Sequence, residues 1–332
     1  ELFLMAPSCV PATHLETSGA KIDAPALRQI LRWRGCLGLG EVMNFPGLLS
    51  SDKAVLATIG LAQNEIIDGH APGISGKELN AYIAAGIYSD HESVSLTEAK
   101  EKLSRGMFIM IREGSAENNL EALLPLVTDK TYKRCFFVVD DRNYVDLFRD
   151  GTIDAVVRKA IALGLPPIRA IQLATINPAE YFHLRRLGAV APGYQANLIV
   201  IDDLSSLRVD MVFHRGRLVA DTGKPLFSVK RATSRGLTNT AKVKPFPIES
   251  LQLRASGETL PIIEIVPGQI ITRKRIGKIR VRDGVIVPDI SRDILKLVVV
   301  ERHKATGNIG QGMISGLGLK KGALVSSIAH DS

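Results

Sequence analysis

A chain of 332 residues, 45% of them apolar and 23% charged, has material for a sizeable core and for two domains, and its composition excludes disorder. No apolar run approaches the roughly 18 residues that cross a bilayer, and three scattered cysteines exclude a disulfide framework, so a cytoplasmic protein with reduced thiols and no membrane partner is expected. The formal charge of +8 raises nucleic acid as a partner, but the one dense basic stretch, Arg273-Lys274-Arg275 with Lys278, Arg280 and Arg282, is interleaved with Ile and Val and lacks stacking aromatics; a solvated strand face and no nucleic-acid partner are expected.

The chain opens on Glu1-Leu2-Phe3-Leu4-Met5-Ala6, an apolar strand-like run without the basic region of a targeting signal. It stops abruptly at Ala329-His330-Asp331-Ser332, so a chain cut at both ends is expected. Up to about residue 190, short apolar runs alternate with amphipathic segments. The runs are 2–5, 35–40, 65–68, 85–89, 107–111 and 135–139; Gly76–Ala84 and Leu96–Ser104 show helical spacing. Such alternation predicts a parallel sheet covered by helices, either open or closed into a barrel. Six strands are visible where a (β/α)8 barrel needs eight, so a barrel requires two further strands upstream.

After Pro192-Gly193 the pattern changes to short β-like runs at 197–201, 210–213 and 217–219, a small antiparallel appendage. Residues 222–260 have a linker-like composition. Apolar strands resume near Leu260, and the Gly-rich stretch Gly307–Gly322, which lacks a phosphate-loop ending, reads as turn chemistry. The expected layout is a partial barrel over 1–190, a small β segment and linker over 191–229, and a second α/β domain over 230–332.

Polar residues fall at the ends of these runs. Glu41 follows Cys36–Gly40, His70 follows Ile66–Gly69, Asp90-His91-Glu92 follows Gly86–Ser89, and Asp140-Asp141 follows Phe136–Val139. In a barrel, residues at the C-terminal ends of the strands share one pocket. A lone His in a loop is usually just polar, and Glu41, Asp140 or Asp141 could each cap a helix. Four such residues at four strand ends instead point to a metal hydrolase. Two imidazoles and two carboxylates suit Zn²⁺, Fe²⁺ or Mn²⁺ better than Ca²⁺.

The local sequences add a resemblance. Gly38–Gly47, the block from Asp68-Gly69-His70-Ala71-Pro72-Gly73 to Ser89-Asp90-His91-Glu92-Ser93, Arg112-Glu113-Gly114-Ser115 and Val139-Asp140-Asp141-Arg142 are similar to the strand motifs of the adenine deaminase family within the amidohydrolase superfamily. Ala191-Pro192-Gly193 through Asn197-Leu198 resembles the superfamily's exit to its β-domain, and the likeness continues to His330-Asp331. The resemblance implies a barrel missing its first strands and hydrolytic deamination of adenine to hypoxanthine by a homo-oligomer with a binuclear Mn, Fe or Zn centre. Glu41 would bridge two metals, His70 and His91 would bind the second, and Asp140 would bind metal and handle the proton of the attacking water. Arg112, Glu113, Asp141, His330 and Asp331 are candidate substrate contacts. The family's first ligand pair, a His-x-His, occurs nowhere in this sequence, which implies weak metal occupancy. The alternatives are another amidohydrolase acting on a cyclic amide, or an inert barrel remnant.

Overall fold

The structure is a computed structural model that describes residues 1–13, 16–230, 238–269 and 271–326. It divides into two compact units, one of Glu1–Ser8 with Asp23–Ala232, the other of Cys9–Ile22 with Thr233–Ser332.

In the first unit, strands and helices alternate: β1 (Leu4–Pro7), α1 (Ala24–Leu31), β2 (Cys36–Val42), α2 (Phe45–Leu49), α3 (Lys53–Gly60), β3 (Ile66–Gly69), α4 (Gly76–Ala84), β4 (Ser89–Asp90), α5 (Leu96–Ser104), β5 (Phe108–Arg112), α6 (Leu120–Leu123) and β6 (Cys135–Val138). Four helices follow: α7 (Tyr144–Asp150), α8 (Ile153–Ala162), α9 (Pro167–Ala174) and α10 (Ile176–Tyr181). Helix starts coincide with side-chain caps: Asp23 receives the Ala26 amide, Asp52 those of Ala54 and Val55, and Ser95 that of Glu98.

All six strands run parallel, paired in the orders β1-β2-β3 and β4-β5-β6. The two sets meet where the Gly69 amide donates to the Ser89 hydroxyl at 3.1 Å. A Cβ on Gly69 would lie 2.1 Å from the Ser89 carbonyl oxygen, so only glycine permits this approach. Alternation places Ile109, Ile111, Cys135 and Phe137 against Leu120, Val156, Val157 and Leu173 of the covering helices. Met110 and Phe136 face the other way and pack on Tyr181. The run expected as a strand over 85–89 pairs only at Ser89–Asp90, because Ala85 still caps α4 and Gly86 turns the chain at a φ of 97°.

The unit ends in an antiparallel sheet, β7 (Leu198–Ile201), β8 (Val209–His214), β9 (Arg217–Asp221) and β10 (Lys224–Pro225), in the order β10-β9-β8-β7. Asn197 of the exit segment receives the Arg215 amide at 2.9 Å, a structural role.

The second unit differs from the expected α/β domain: among its described residues there are strands and 3-10 turns but no α-helix. Its strands are β11 (Thr259–Ile265), β12 (Thr272–Lys278), β13 (Arg280–Arg282), β14 (Val285–Val287), β15 (Leu295–Val300) and β16 (Ile309–Ser315). They form a sheet in the order β12-β11-β16-β15 and a β13-β14 hairpin around Ile262, Ile286, Ile294 and Met313. The apolar residues bury with a period of two, which a helix cannot use. The glycine-rich stretch expected as turns holds β16, an interior strand whose pairing to β11 and β15 needs backbone rather than side chains. On β12, Arg273, Lys274 and Arg275 are exposed at the sheet edge, where charge discourages further pairing. No described helix is long and apolar enough to cross a membrane.

Just after β15, the buried Glu301 carboxylate accepts the amides of His303, Lys304 and Thr306 and the Thr306 hydroxyl. The Thr306 amide leads the set, burial opposes it, and the net effect holds the carboxyl at about 2. A folded pKa below the ordinary 4.5 contributes stability above that value which is lost as pH falls from 4.5 toward 2. Hydrogen exchange of the 301–308 segment, corrected for the intrinsic rate, is expected to lose protection across that window. Glu301→Gln should be unprotected throughout and flat with pH; an unchanged slope in the variant contradicts this account.

Candidate metal centre

Because the six strands are parallel, their C-terminal ends lie on one edge, and the chemistry-bearing residues collect there. Glu41 is the penultimate residue of β2, His70 follows β3, His91 and Glu92 follow β4, Arg112 ends β5, and Asp140 follows β6. Glu41 and Asp140 both adopt left-handed backbone angles, φ of 39° and 51°. Non-glycine residues held in that region cost of order 1–3 kcal/mol each and cluster at functional sites. The Ser8 hydroxyl secures the first by donating to the Glu41 carbonyl at 2.5 Å.

Ligand atoms of Glu41, His70 and His91 lie within 4.8 Å of one another, and those of His91, Glu92 and Asp140 do the same. The two groups share His91, so all four expected ligands are brought together. His70 Nδ1 stands 3.6 Å from Glu41 Oε2 and 3.4 Å from Glu92 Oε1, while His91 Nε2 stands 3.2 Å from that same Glu92 oxygen. The imidazoles meet edge to face at 5.2 Å. His70 Nδ1 is buried and makes no hydrogen bond. A buried imidazole nitrogen without a hydrogen bond, beside carboxylate oxygens, is costly to leave unmatched and fits a divalent cation.

The charges of the site follow from the same contacts. Burial pulls the His70 imidazolium down, against the carboxylate of Glu92. At His91, burial acts in the same direction, but the hydrogen bond and charge of Glu92 outweigh it and raise the ring to about 9. Burial raises Glu92, yet His91, His70 and Arg112 hold it down at about 2.

Two residues that sequence reading passed over position the ligands. The fully buried Tyr82 of α4 donates its hydroxyl to the Val42 carbonyl at 2.9 Å and receives the His70 amide at 2.9 Å, tying the ends of β2 and β3 together. Lys102 of α5, also fully buried, places its ammonium 2.8 Å from each of the Ala71 carbonyl, Asp90 Oδ2 and Glu98 Oε1. Asp90 in turn receives the Ala71 amide and the Ser93 hydroxyl. One stripe of α5 thus grips the loop after His70 and the loop around His91. Glu92 lies inside the Ser89–Ser93 motif, and its one signal in the sequence is its place beside His91.

The remaining candidates take other positions. Arg112 is fully buried and its Nη1 reaches Glu92, Glu117 at 2.8 Å and Asp140 at 2.9 Å, so it anchors carboxylates. Glu113 pairs with Lys159 and receives the Leu120 amide, and Asp141 receives the amides of Ser115 and Ala116. A Cβ on Gly114 would lie 1.4 Å from Asp141 Oδ1, so glycine is required there. These two acids organise the loop after β5. His330 and Asp331 lie outside the described residues.

The amidohydrolase family profile matches residues 2–219. The chain belongs to the amidohydrolase family. Membership brings an α/β fold of the barrel type and the use of a divalent metal, for which the two residue groups at the strand ends are the candidates in this amidohydrolase. The profile of the adenine deaminase C-terminal domain matches residues 269–332. Among curated relatives, adenine deaminase from Dehalococcoides mccartyi is 60% identical and adenine deaminase 2 from Carboxydothermus hydrogenoformans 47% identical, each over 331 residues and 100% of this chain. The chain spans 58% of the length of each. Among solved structures, a β-aspartyl dipeptidase from Fervidobacterium islandicum is similar at 18% identity and a TM-score of 0.48, over 62% of this chain and 64% of that one.

Tyr82→Phe leaves the His70 amide and the Val42 carbonyl without their bridge, at a cost of about 1–3 kcal/mol. Urea unfolding should register that loss, and zinc affinity by competition with a chromophoric chelator should fall with it; affinity equal to the parent's would show that the bridge does not position His70. Lys102→Met strands the Asp90 carboxylate and should cost about 3–5 kcal/mol. The imidazole NMR signals of His70 and His91 are expected to broaden together in that variant, and sharp parental signals would refute the grip assigned to α5.

Proposed function

We propose that the protein is an adenine aminohydrolase, converting adenine and water to hypoxanthine and ammonia at a binuclear Mn, Fe or Zn centre. The observation that carries the reading is the combination of strand-end ligands with relatives named adenine deaminase that align with the whole chain. The adenine deaminase C-terminal profile over residues 269–332 supports it independently of the site.

Glu41, His70, His91 and Asp140 would hold the metal. When bound, a divalent metal supplies Lewis acidity that makes hydroxide available near neutral pH. Asp140 stands on the exposed rim with Arg112 fixing its Oδ2, so the carboxylate is oriented yet reachable. One proton of the attacking water passes to Asp140 and on to the departing amino group, while the oxygen bonds to C6. The C6–N bond breaks with its electron pair on nitrogen, ammonia leaves, and the second proton ends on the ring of hypoxanthine. Glu92 and Arg112, buried beneath, keep the rim carboxylates in place without reorganising during the step.

An ammonia-release assay with Mn²⁺, Fe²⁺ or Zn²⁺ supplied tests the proposal, run on the protein at the length of its relatives and on residues 1–332. Adenine should be deaminated by the longer form and not appreciably by residues 1–332, whose sequence holds no His-x-His. Asp140→Asn should lower the rate by about 10²–10⁴ with the fold intact. Ring opening of a cyclic amide with no ammonia released from adenine would overturn the substrate, and a parental rate in the Asn variant would overturn the proton route.

A further inference from the structure

We propose that Glu92 is a further metal-holding residue of this centre, its Oε1 joining His70 Nδ1 and His91 Nε2 around one ion. The inference rests on the metal reading above and adds to it a ligand outside the four expected from the sequence.

The spacing carries the argument. Around a tetrahedral ion with ligands at about 2.0–2.1 Å, the ligand atoms lie about 3.3–3.4 Å from one another. Glu92 Oε1 is 3.4 Å from His70 Nδ1 and 3.2 Å from His91 Nε2, and His70 Nδ1 is 3.6 Å from Glu41 Oε2. Those separations are the edges of a coordination polyhedron. A hydrogen bond would satisfy the His91 edge alone, whereas His70 Nδ1 stays buried without one.

Arg112 is the competing partner, and the structure shows how far its claim extends. Its Nη2 takes Glu92 Oε2 at 3.2 Å, which fixes the carboxylate plane. Its Nη1 contacts Glu92 Oε1 but is shared with Glu117 at 2.8 Å and Asp140 at 2.9 Å. One cation therefore faces three carboxylates, and the Glu92 oxygen nearest the imidazoles keeps negative charge for a second cation. Glu92 also belongs, with His91 and Asp140, to the second ligand group, so it stands between both halves of the centre. Burial at zero exposure makes it the inner wall of that centre, opposite the open rim of Glu41 and Asp140.

Cobalt(II) binding to the chain, followed by the visible d–d spectrum and by chelator competition, tests the assignment without turnover. Glu92→Gln replaces a charged ligand by a neutral one. Its cobalt affinity should fall by on the order of a hundredfold, at or beyond the upper end of the roughly 10–100-fold cost of losing an outer partner, and the spectrum should shift. Glu117→Gln removes an equal charge from Arg112 without touching an imidazole, so cobalt affinity should fall far less than in the Glu92 variants and the spectrum should stay as in the parent. Glu92→Asp keeps the charge beside Arg112 but draws the oxygen back; it should also weaken cobalt and shift the spectrum, and it serves if the Gln variant does not fold. Parental affinity and spectrum in either Glu92 variant overturn the assignment, as does an equal loss in Glu117→Gln. A parent chain that takes up no cobalt overturns the metal reading itself, and this assignment with it.

Discussion

The ammonium of Lys102 is the point on which the site's geometry turns. It is enclosed at zero exposure with each of its three donors on an oxygen: a backbone carbonyl, a buried carboxylate and a helix carboxylate. Burying an ion pair is not by itself a gain, since apolar residues of similar volume often stabilise as well or better. A leucine at 102 could fill the space, but it could not hold the loop after His70 and the acid before His91 at once. Around that cation the loops become two rigid arms, and Tyr82 fixes the nearer arm to β2. Ligand placement is thereby set by helices α4 and α5, which contribute no ligand.

A second cation organises the opposite wall. Arg112 lies among Glu92, Glu117 and Asp140, so the pocket carries more fixed negative charge than its own guanidinium neutralises. A low-dielectric wall strengthens that imbalance, and the field inside the pocket favours a divalent ion over water alone. The strained backbone at Glu41 and Asp140 belongs to the same economy: both side chains are turned back over the strand ends by angles that unconstrained residues avoid.

Much of the first unit was legible because its signals are local. The periodicity at 76–84 and 96–104 matches α4 and α5, and the acids and imidazoles after the apolar runs mark the strand ends. What escaped was decided by distant partners. Glu98, Lys102 and Arg105 have the spacing of a solvated helix face with i,i+4 pairing, and only the fold reveals that Lys102 points into a wall of loops. Glu92 gains its surroundings from Arg112, twenty residues later on a neighbouring strand. In the second unit, the glycines between 307 and 322 signal turns, while the pairing that makes Ile309–Ser315 an interior strand comes from Ile262–Glu264 and Leu295–Val300. An α/β domain was expected there, and the described residues instead bury their apolar side chains with the period of strands.

The second unit is discontinuous in sequence, since Cys9–Ile22 join Thr233–Ser332. Gly19 is packed so that a Cβ there would lie 3.2 Å from the His303 ring. During synthesis the first of these segments leaves the ribosome well before the second exists, and it must wait through the whole first unit for its partner. Closing so long a loop adds little to the equilibrium cost, because the entropy grows only with the logarithm of length. Its consequence is kinetic: the unit folds last, and residues 9–22 stay available to wrong partners until then. An excised C-terminal half would lack one of its own pieces, so this unit cannot be obtained by cutting the gene at a single point.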